Sequence, residues 1–249
     1  MQKTFALQYE NYEQEHWWFR ARQIILKDQI RVLDLPSQAN IMEIGVGPGK
    51  NLYSLYSENA KLIGVEPDPM LVKTAQARGH IPVYEATAEQ MPPEILDDSY
   101  DAVTMFDILE HTEDDVFVLE CVKRKIKAGG LLVISVPAFM MLWGQQDVIN
   151  LHYRRYTRKN LEEALRKAGF EIMKSTYFNS ILFPFVALVR IVNRIFKNPE
   201  KQAQSDFTYS LGKGDELLYR LFASEKWFLR YMNFPIGVSL FCVARKPSD

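Results

Sequence analysis

The 249-residue sequence predicts an α/β fold, with a doubly wound, mostly parallel sheet and helices on both of its faces. The prediction rests on short apolar runs that alternate with amphipathic stretches along the middle of the chain. It also rests on a glycine-rich turn after the first apolar run and on an acidic residue that ends the second. The candidate strands begin near Ile41, Leu62, Ile81, Ala102 and Leu131, and two later ones cover about Phe170 to Tyr177 and Val238 to Ala244.

Three helices are predicted, two of them from their capping residues. The helix after the fourth strand has a capping-box pattern at Thr112 and Asp115, and Gly129-Gly130 is predicted to end it. An apolar stripe runs along this helix through Val116, Leu119, Val122 and Ile126. The other two helices are predicted to run from His16 towards Leu33 and from a Thr157 cap to Gly169.

The segment from about Ser180 to Pro235 is predicted to be a helical insertion before the last strand. Its start, residues 181–189, is uncharged but has only about half of the roughly 20 apolar residues that a transmembrane helix requires. A basic interfacial helix is indicated next by Arg190, Arg194 and Lys197 beside Ile191, Val192, Ile195 and Phe196. A second amphipathic stretch carries Leu217, Leu218, Leu221, Phe222, Trp227, Phe228 and Tyr231. These helices form either an apolar substrate lid that touches a membrane or, equally well, a face packed on the core or in a dimer.

The most informative motif is Glu43-Ile44-Gly45-Val46-Gly47-Pro48-Gly49, at the end of the first predicted strand. Its glycines stand at alternate positions, which lets a turn adopt backbone angles closed to other residues and brings its amides close to a ligand. A dinucleotide-binding turn instead requires the pattern G-x-G-x-x-G. The place of the third glycine holds Lys50 when counted from Gly45 and Leu52 when counted from Gly47, which argues against NAD or FAD.

A second acidic residue, Glu66, ends the next predicted strand before Pro67 and Pro69 stop it. A carboxylate has acceptor oxygens and no donors, so it suits the two adjacent hydroxyls of a ribose and repels a 2′-phosphate. A lone acidic residue at a strand end is more often a solvated loop residue. Glu43 and Glu66 in register at two strand ends favour a ligand site over that interpretation.

From about Ile41 to Phe170, roughly half of the chain, these motifs resemble the class I S-adenosylmethionine-dependent methyltransferases, in particular their small-molecule branch of type 11/12. The resemblance implies a Rossmann-like sheet of seven strands, the last two forming a hairpin. It also implies S-adenosylmethionine as cofactor, its methionine part held by Gly45, Gly47 and Gly49 and its ribose by Glu66. Glu43 occupies the acidic position that the family has before the loop.

The run Ala86-Thr87-Ala88-Glu89-Gln90-Met91-Pro92 resembles the loop that contacts adenine in this family. The family commonly has an aspartate there that receives the adenine amino group, whereas this chain has Thr87. A hydroxyl accepts the same hydrogen bond without charge assistance. We therefore expect adenine to be recognised by Thr87 and by the backbone around Ala88 and Glu89.

One domain is expected over residues 1–249. Within it, residues 1–38 are predicted to form an N-terminal helical cap and residues 39–178 the cofactor-binding core. Residues 179–236 are predicted to form the amphipathic insertion, and residues 237–249 the last strand and a tail.

Composition argues against several classes of function. A net charge of −1, with no tract of Lys and Arg interleaved with aromatic residues, argues against a nucleic-acid partner. Cys121 and Cys242 are the only cysteines and lack metal-ligand spacing, so we expect neither a disulfide nor a metal site. Residues 1–15 are polar and lack the apolar stretch of a signal peptide, so a cytoplasmic location is expected.

The acceptor is expected at the carboxyl ends of the later strands, since ligands of open α/β sheets bind there. His111 is the candidate general base, because histidine titrates near neutrality, and His152 is the second candidate. A structural hydrogen bond at the start of a helix explains His111 equally well. Asp107 is expected to face either the methionine end of the cofactor or the loop backbone.

Two further groups are assigned to the acceptor on weaker grounds. Tyr153, Arg154 and Arg155 follow the fifth strand and suit a phosphate, pyrophosphate or carboxylate, unless the arginines are solvated and pair with Glu162 and Glu163. Trp17 and Trp18 open the N-terminal helix. They either close the pocket against water or pack that helix on the core.

The resemblance implies methyl transfer by direct displacement, with S-adenosylhomocysteine as product. The acceptor is expected to be a small molecule of lipid-like or anionic character, with peripheral membrane contact through the insertion. Alignment of the acceptor and exclusion of water are expected to supply most of the acceleration. Two alternatives stay open: a noncatalytic S-adenosylmethionine-binding protein or partner subunit, and a dehydrogenase with an unusual nucleotide loop.

Overall fold

The fold is a seven-stranded mixed sheet, described by a computed structural model for residues 15–196 and 212–248. The strands are β1 (Asn40–Ile44), β2 (Lys61–Glu66), β3 (Val83–Glu85), β4 (Tyr100–Phe106), β5 (Ile126–Pro137), β6 (Glu171–Phe178) and β7 (Ser239–Arg245). Their order across the sheet is β3-β2-β1-β4-β5-β7-β6. Strand β7 is antiparallel to β5 and β6, and the other neighbouring pairs are parallel. The predicted fold class is confirmed.

Helices cover both faces of this sheet. The described helices are α1 (Trp17–Arg31), α2 (Pro69–Ala77), α3 (Asp115–Lys125), α4 (Gln145–Ile149), α5 (Arg158–Lys167), α6 (Phe183–Phe196) and α7 (Lys213–Leu229). Short 3-10 turns lie at Leu109–His111 and Met140–Leu142. Two predicted starts are confirmed by their caps: the His16 ring accepts a hydrogen bond from the Trp18 amide, and the Thr157 hydroxyl accepts one from the Asn160 amide.

The predicted limits of the helix after β4 were wrong at both ends. Asp114, not Thr112, caps α3, because its carboxylate accepts a hydrogen bond from the Phe117 amide at 3.0 Å. The Thr112 hydroxyl instead donates to the Leu109 carbonyl and closes the preceding 3-10 turn. At the other end α3 stops at Lys125 and β5 begins at Ile126, so Gly129-Gly130 lies inside a strand rather than at a helix end.

The central strands are buried on both faces, which explains why they appear in the sequence as continuous apolar runs. Successive residues point to opposite sides of the sheet. Met42, Val103 and Ile134 face a core that they share with α3 and α5. Ile41, Ala102 and Val133 face a second core that they share with α1 and α7.

The strand order reverses between β1 and β4, and this reversal positions the site. Crossover connections leave in opposite directions at such a point, so a crevice opens beyond the carboxyl ends of the two strands. The residues that follow the strands at this edge are Gly45 after β1, Pro67 after β2, Asp107 after β4 and Ala138 after β5.

The insertion before β7 contains α6, which lines this edge through Val186 and Arg190, and α7. Helix α7 packs on α1, and Arg230 just beyond it forms an ion pair with Asp28 of α1. Exposed apolar side chains on α6 are Phe185, Leu188, Val189, Ile191 and Val192. Lys197 and the side chain of Arg194 lie outside the described part of the chain, so the basic face predicted for α6 is described only at Arg190. Within the described helices, none combines the length and apolarity that a membrane crossing requires.

Candidate functional site

A cavity of about 700 Å³ opens at the sheet edge where the strand order reverses. Its floor is formed by the residues after β1, β2 and β4. The start of α1 closes one side, through His16, Trp17 and Trp18. The loop after α4, together with Val186 and Arg190 of α6, closes another. The cavity therefore joins the residues predicted for the cofactor and those predicted for the acceptor in one space.

The turn after β1 is fixed by its backbone. Gly45 has φ +72°, and its amide donates to the Val65 carbonyl at 2.7 Å. A Cβ at Gly45 would lie 1.9 Å from Cδ1 of Ile108, so no larger residue fits without displacement. Gly47 has φ +55°, and a Cβ there would meet no atom within 4 Å. The turn is thus tightly packed at Gly45 and open at Gly47, and both glycines line the cavity.

Glu66 ends β2 and is buried in the cavity wall. Its carboxylate accepts hydrogen bonds from the Gly47 amide at 2.9 Å and from the Asp68 amide at 3.1 Å. Burial raises the pKa of Glu66, and the two amide donors oppose the shift. Each carboxylate oxygen has a second lone pair, so the group retains acceptor capacity for a ligand.

The residues predicted to contact adenine lie on the same side of the cavity as Glu66. Thr87, Ala88 and Glu89 all belong to its wall. The Thr87 hydroxyl already accepts a hydrogen bond from the Gln90 amide at 3.3 Å, which holds the turn in shape. The remaining lone pair and the proton of this hydroxyl are left to form hydrogen bonds with a ligand.

Two predicted cofactor residues lie behind the glycine turn instead of in the cavity wall. The buried Glu43 carboxylate accepts a hydrogen bond from the Tyr56 hydroxyl at 2.5 Å, and that hydroxyl also meets Thr104 at 2.6 Å. Burial and the charge of Glu43 raise the pKa of Tyr56. Gly49 packs against α2, where a Cβ at this position would lie 3.0 Å from the Cβ of Ala75. Both residues support the turn from behind.

Asp107 follows β4 and is held by a residue that the sequence did not single out. Its carboxylate forms an ion pair with Arg22 of α1 at 2.7 Å and accepts a hydrogen bond from the Ser135 hydroxyl at 3.2 Å. Arg22 is 6% exposed, and its guanidinium lies 5.6 Å from the Trp18 ring and 5.8 Å from the Phe106 ring. The sequence singled out Trp17 and Trp18 at the start of α1, but nothing marked Arg22 as the partner of Asp107.

The acceptor side of the cavity contains two histidines in contact. The rings of His111 and His152 are 4.6 Å apart and perpendicular. Burial lowers the pKa of His111 to about 4, and the neighbouring His152 adds to the shift. The Nδ1 atom of His152 lies 2.9 Å from an oxygen of Asp147, which fixes the orientation of the ring.

Two carboxylates that the sequence did not assign complete this side. Asp147 is fully buried and also binds Arg155 at 2.8 Å. Burial alone would raise the pKa of Asp147, but His152 and Arg155 outweigh it and hold the pKa at about 2. Glu110 is fully buried beside His152, with 3.9 Å between its Oε1 and Nε2 of the ring. Burial and the charge of Asp107 raise the pKa of Glu110 well above its usual range.

The arginines after β5 pair differently from the expected pairing with Glu162 and Glu163. Arg154 binds Asp115 at 3.2 Å, whereas Arg155 binds Asp147. Glu162 pairs with Arg166, and Glu163 with Lys159. Arg154 and Arg155 therefore do not form the alternative pairing, because Asp115 and Asp147 approach from other parts of the chain. Arg155 and the exposed Tyr153 line the cavity, but Arg154 does not.

Comparisons with known proteins agree with this geometry. A family model described as "Methyltransferase domain" matches residues 14–175. A probable S-adenosylmethionine-dependent methyltransferase of Mycolicibacterium smegmatis is 27% identical over 163 residues, which cover 64% of this chain and 61% of that protein. A ubiquinone biosynthesis O-methyltransferase of Xanthomonas oryzae is 30% identical over 108 residues, 41% of this chain and 44% of that protein. The chain therefore spans less than two thirds of the length of these relatives.

A solved structure shares the fold over nearly the whole chain. It is the putative methyltransferase of Haloferax volcanii in complex with the Trm112 methyltransferase activator. The TM-score is 0.65 at 17% identity, over 99% of this chain and 96% of that one. At this identity the likeness concerns the arrangement of strands and helices alone.

Proposed function

The chain belongs to the methyltransferase-domain family, and we propose that it transfers a methyl group from S-adenosylmethionine to a small, lipid-like acceptor. The observation that carries the proposal is the single cavity described above. It connects the glycine turn and Glu66 at one end with the histidine pair at the other. A donor and an acceptor bound in one cavity gain the effective concentration that a direct displacement requires.

The residues at the first end fit S-adenosylmethionine. The Gly47 position is open, so the backbone is free to approach a ligand, and the Glu66 carboxylate offers acceptors for ribose hydroxyls. Thr87, Ala88 and Glu89 would contact adenine, while Asp107 faces the methionine end with its charge balanced by Arg22. Bound there, the cofactor supplies an electrophilic methyl carbon and leaves as S-adenosylhomocysteine.

The acceptor end offers two proton acceptors with different properties. His111 is the base expected from the sequence, but a pKa of about 4 makes it a weak one at neutral pH. His152 is better oriented, because the contact with Asp147 occupies Nδ1 and leaves Nε2 on the side of Glu110. We therefore propose His152 before His111 as the group that receives a proton from an acceptor.

Apolar side chains make up much of the cavity wall outside the charged cluster, which supports a lipid-like acceptor. Trp17, Trp18, Phe106, Leu151 and Val186 all contribute to it. Helix α6, which contributes Val186 to this wall, also carries exposed apolar side chains. We propose that the protein works in the cytoplasm and that α6 contacts the membrane from which the acceptor is taken. The named activity of the Xanthomonas oryzae relative, O-methyl transfer in ubiquinone biosynthesis, is consistent with a hydroxyl on a lipid-like acceptor.

The test is methyl transfer from radiolabelled S-adenosylmethionine to a panel of phenols, catechols and lipid-linked hydroxyl compounds. We expect label in an organic-extractable product, and a rate that falls in His152→Asn while the affinity for S-adenosylhomocysteine stays unchanged. Saturable binding of S-adenosylhomocysteine without transfer to any member of the panel would favour a noncatalytic binding protein.

Co-sedimentation tests the membrane contact separately. With vesicles that contain anionic lipid, the unaltered chain is expected in the pellet and a Phe185→Ser/Leu188→Ser variant in the supernatant, since both side chains are 59% exposed on α6. Unaltered protein that stays in the supernatant would exclude the membrane contact without affecting the methyl-transfer proposal.

A further inference from the structure

Glu110, His111 and His152 form a compact cluster on the acceptor side of the cavity. One ligand-type atom from each residue can be chosen so that all three lie within 4.8 Å of one another. Around an ion with bonds of about 2.1 Å, such atoms lie roughly 3 to 4 Å apart. The distance of 3.9 Å between Glu110 Oε1 and His152 Nε2 is already in that range. Shifts of about 1 Å in the remaining contacts would complete the geometry.

The backbone holds the two segments of this cluster together. The Tyr153 amide donates to the Glu110 carbonyl at 2.8 Å, which ties the loop after α4 to the 3-10 turn after β4. The His152 amide donates to the Asp147 carbonyl at 2.9 Å and fixes the loop internally. The three side chains therefore project from segments whose relative position is set before any ligand binds.

A second group orients one of the two imidazoles and packing positions the other. Asp147 meets Nδ1 of His152, and the His111 ring packs against the His152 ring at 4.6 Å. Histidines that bind metals are oriented in this way, with one nitrogen engaged by a carboxylate or a carbonyl and the other directed at the ion. In this arrangement Nε2 of His152 is directed away from Asp147 and is available as a ligand.

Glu110 supplies an independent observation. It is fully buried, it belongs to the cavity wall, and neither of its carboxylate oxygens has a hydrogen-bond partner within the described residues. The nearby cations are engaged elsewhere, since Arg22 binds Asp107 and Arg155 binds Asp147. A buried carboxylate without partners is costly in a folded protein unless a ligand completes it.

We propose that Glu110, His111 and His152 bind a divalent transition-metal ion such as Mn²⁺, Co²⁺ or Zn²⁺ in the acceptor half of the cavity. Two imidazole nitrogens and one carboxylate favour these ions over Mg²⁺ and Ca²⁺, which prefer oxygen ligands. Three protein ligands leave coordination positions for water or for an acceptor oxygen. The cavity beside the cluster gives such a group access to the ion.

The role of the ion rests on the proposed function. An acceptor hydroxyl bound to the ion loses its proton to solvent more readily, because the ion lowers the pKa of the oxygen that it binds. The acceptor oxygen then forms the new bond to the methyl carbon, and the electrons of the broken sulfur–carbon bond remain on sulfur. In the metal-loaded protein both histidines are ligands, so the ion replaces His152 as the means of activating the acceptor.

Calorimetric titration of chelator-treated full-length protein with MnCl₂, and separately with ZnCl₂, tests the binding itself. The unaltered chain is expected to bind one ion saturably, and Glu110→Gln and His152→Asn should each abolish that heat. Asp147→Asn, which removes the charge beside His152 and Arg155 but leaves all three ligands in place, should weaken binding about 10- to 100-fold. The matched control is His80→Asn, because His80 is exposed, lies outside the cavity wall and is one of only four histidines in the chain.

Each variant is also titrated with S-adenosylhomocysteine to show that it is folded. If the unaltered chain binds this ligand but no ion, the metal site is wrong and the proposed function stands. Ion binding without S-adenosylhomocysteine binding would keep the metal site and overturn the proposed function. Ion binding that survives in both Glu110→Gln and His152→Asn, or that His80→Asn abolishes, would show that the ion sits elsewhere. A Co²⁺ titration followed by visible absorption tests the same site, because the absorption of the ion depends on the ligands that bind it.

Discussion

Replacing Gly45 with alanine tests how closely the turn after β1 is fitted to the loop after β4. Two costs are visible in the structure. The first is the backbone, since φ is +72° and a non-glycine residue in that region costs about 1–3 kcal/mol. The second is the overlap of the new Cβ with Ile108, at 1.9 Å from Cδ1 and 2.5 Å from Cγ1. Overpacking of this kind costs about 1–3 kcal/mol.

The two costs together give a destabilisation of about 2–6 kcal/mol for Gly45→Ala. A protein of this size loses about 2–4 °C of melting temperature per kcal/mol, so a fall of roughly 4–24 °C is expected. Gly47→Ala is the matched control, because its φ is +55° and its Cβ would meet nothing within 4 Å. That variant carries only the backbone cost, so it should be more stable than Gly45→Ala by about 1–3 kcal/mol.

Thermal unfolding followed by circular dichroism measures both variants, with and without S-adenosylhomocysteine. The double variant Gly45→Ala/Ile108→Ala should recover the part of the loss that comes from the overlap. A Gly45→Ala protein with the same melting temperature as the unaltered chain would refute the reasoning. Equal losses in Gly45→Ala and Gly47→Ala would refute the steric part alone.

Two further predictions concern buried charges. Arg22→Gln removes the partner of Asp107 and should cost about 2–4 kcal/mol in urea unfolding, since breaking a buried pair is expensive and Asp107 is only partly buried. The exposed Arg20→Gln is its control, and equal losses in both would contradict a special role for Arg22. Burial raises the pKa of Glu225 above its ordinary 4.5, so the folded chain holds this proton more tightly and loses stability as pH rises above that value. Glu225→Gln should therefore gain stability relative to the unaltered chain as the pH rises above about 4.5, and a pH-independent difference would contradict this.

The sheet was predictable because its evidence is local. Each buried strand appears as an apolar run, and glycine or proline marks most of the ends, so periodicity alone places most of the strands. The limits of α3 were not predictable in the same way. Thr112 and Asp114 are both good caps, and only the backbone path of the 3-10 turn before them decides which hydroxyl or carboxylate faces the free amides.

The cofactor half of the site was predictable from the sequence and the acceptor half largely was not, for the same reason. The glycine turn and Glu66 carry a spacing that marks them in the sequence. Arg22, Glu110 and Asp147 carry none, because their roles arise from contacts between α1, the turn after β4 and the loop after α4. Glu43 shows the converse, since it occupies the expected position and yet its carboxylate turns towards Tyr56 behind the loop.

The most direct test of the account is calorimetric titration of S-adenosylhomocysteine into the unaltered chain, Glu66→Ala and the control Glu85→Ala. Glu85 ends β3 beside Glu66 but is exposed. Saturable binding by the unaltered chain is expected, with affinity at least about tenfold lower in Glu66→Ala, since a hydrogen bond to a charged group contributes about 1.5–3 kcal/mol. Affinity in Glu85→Ala should be unchanged. No binding by the folded, unaltered chain would make the glycine turn a purely structural feature and would contradict the proposed methyl transfer.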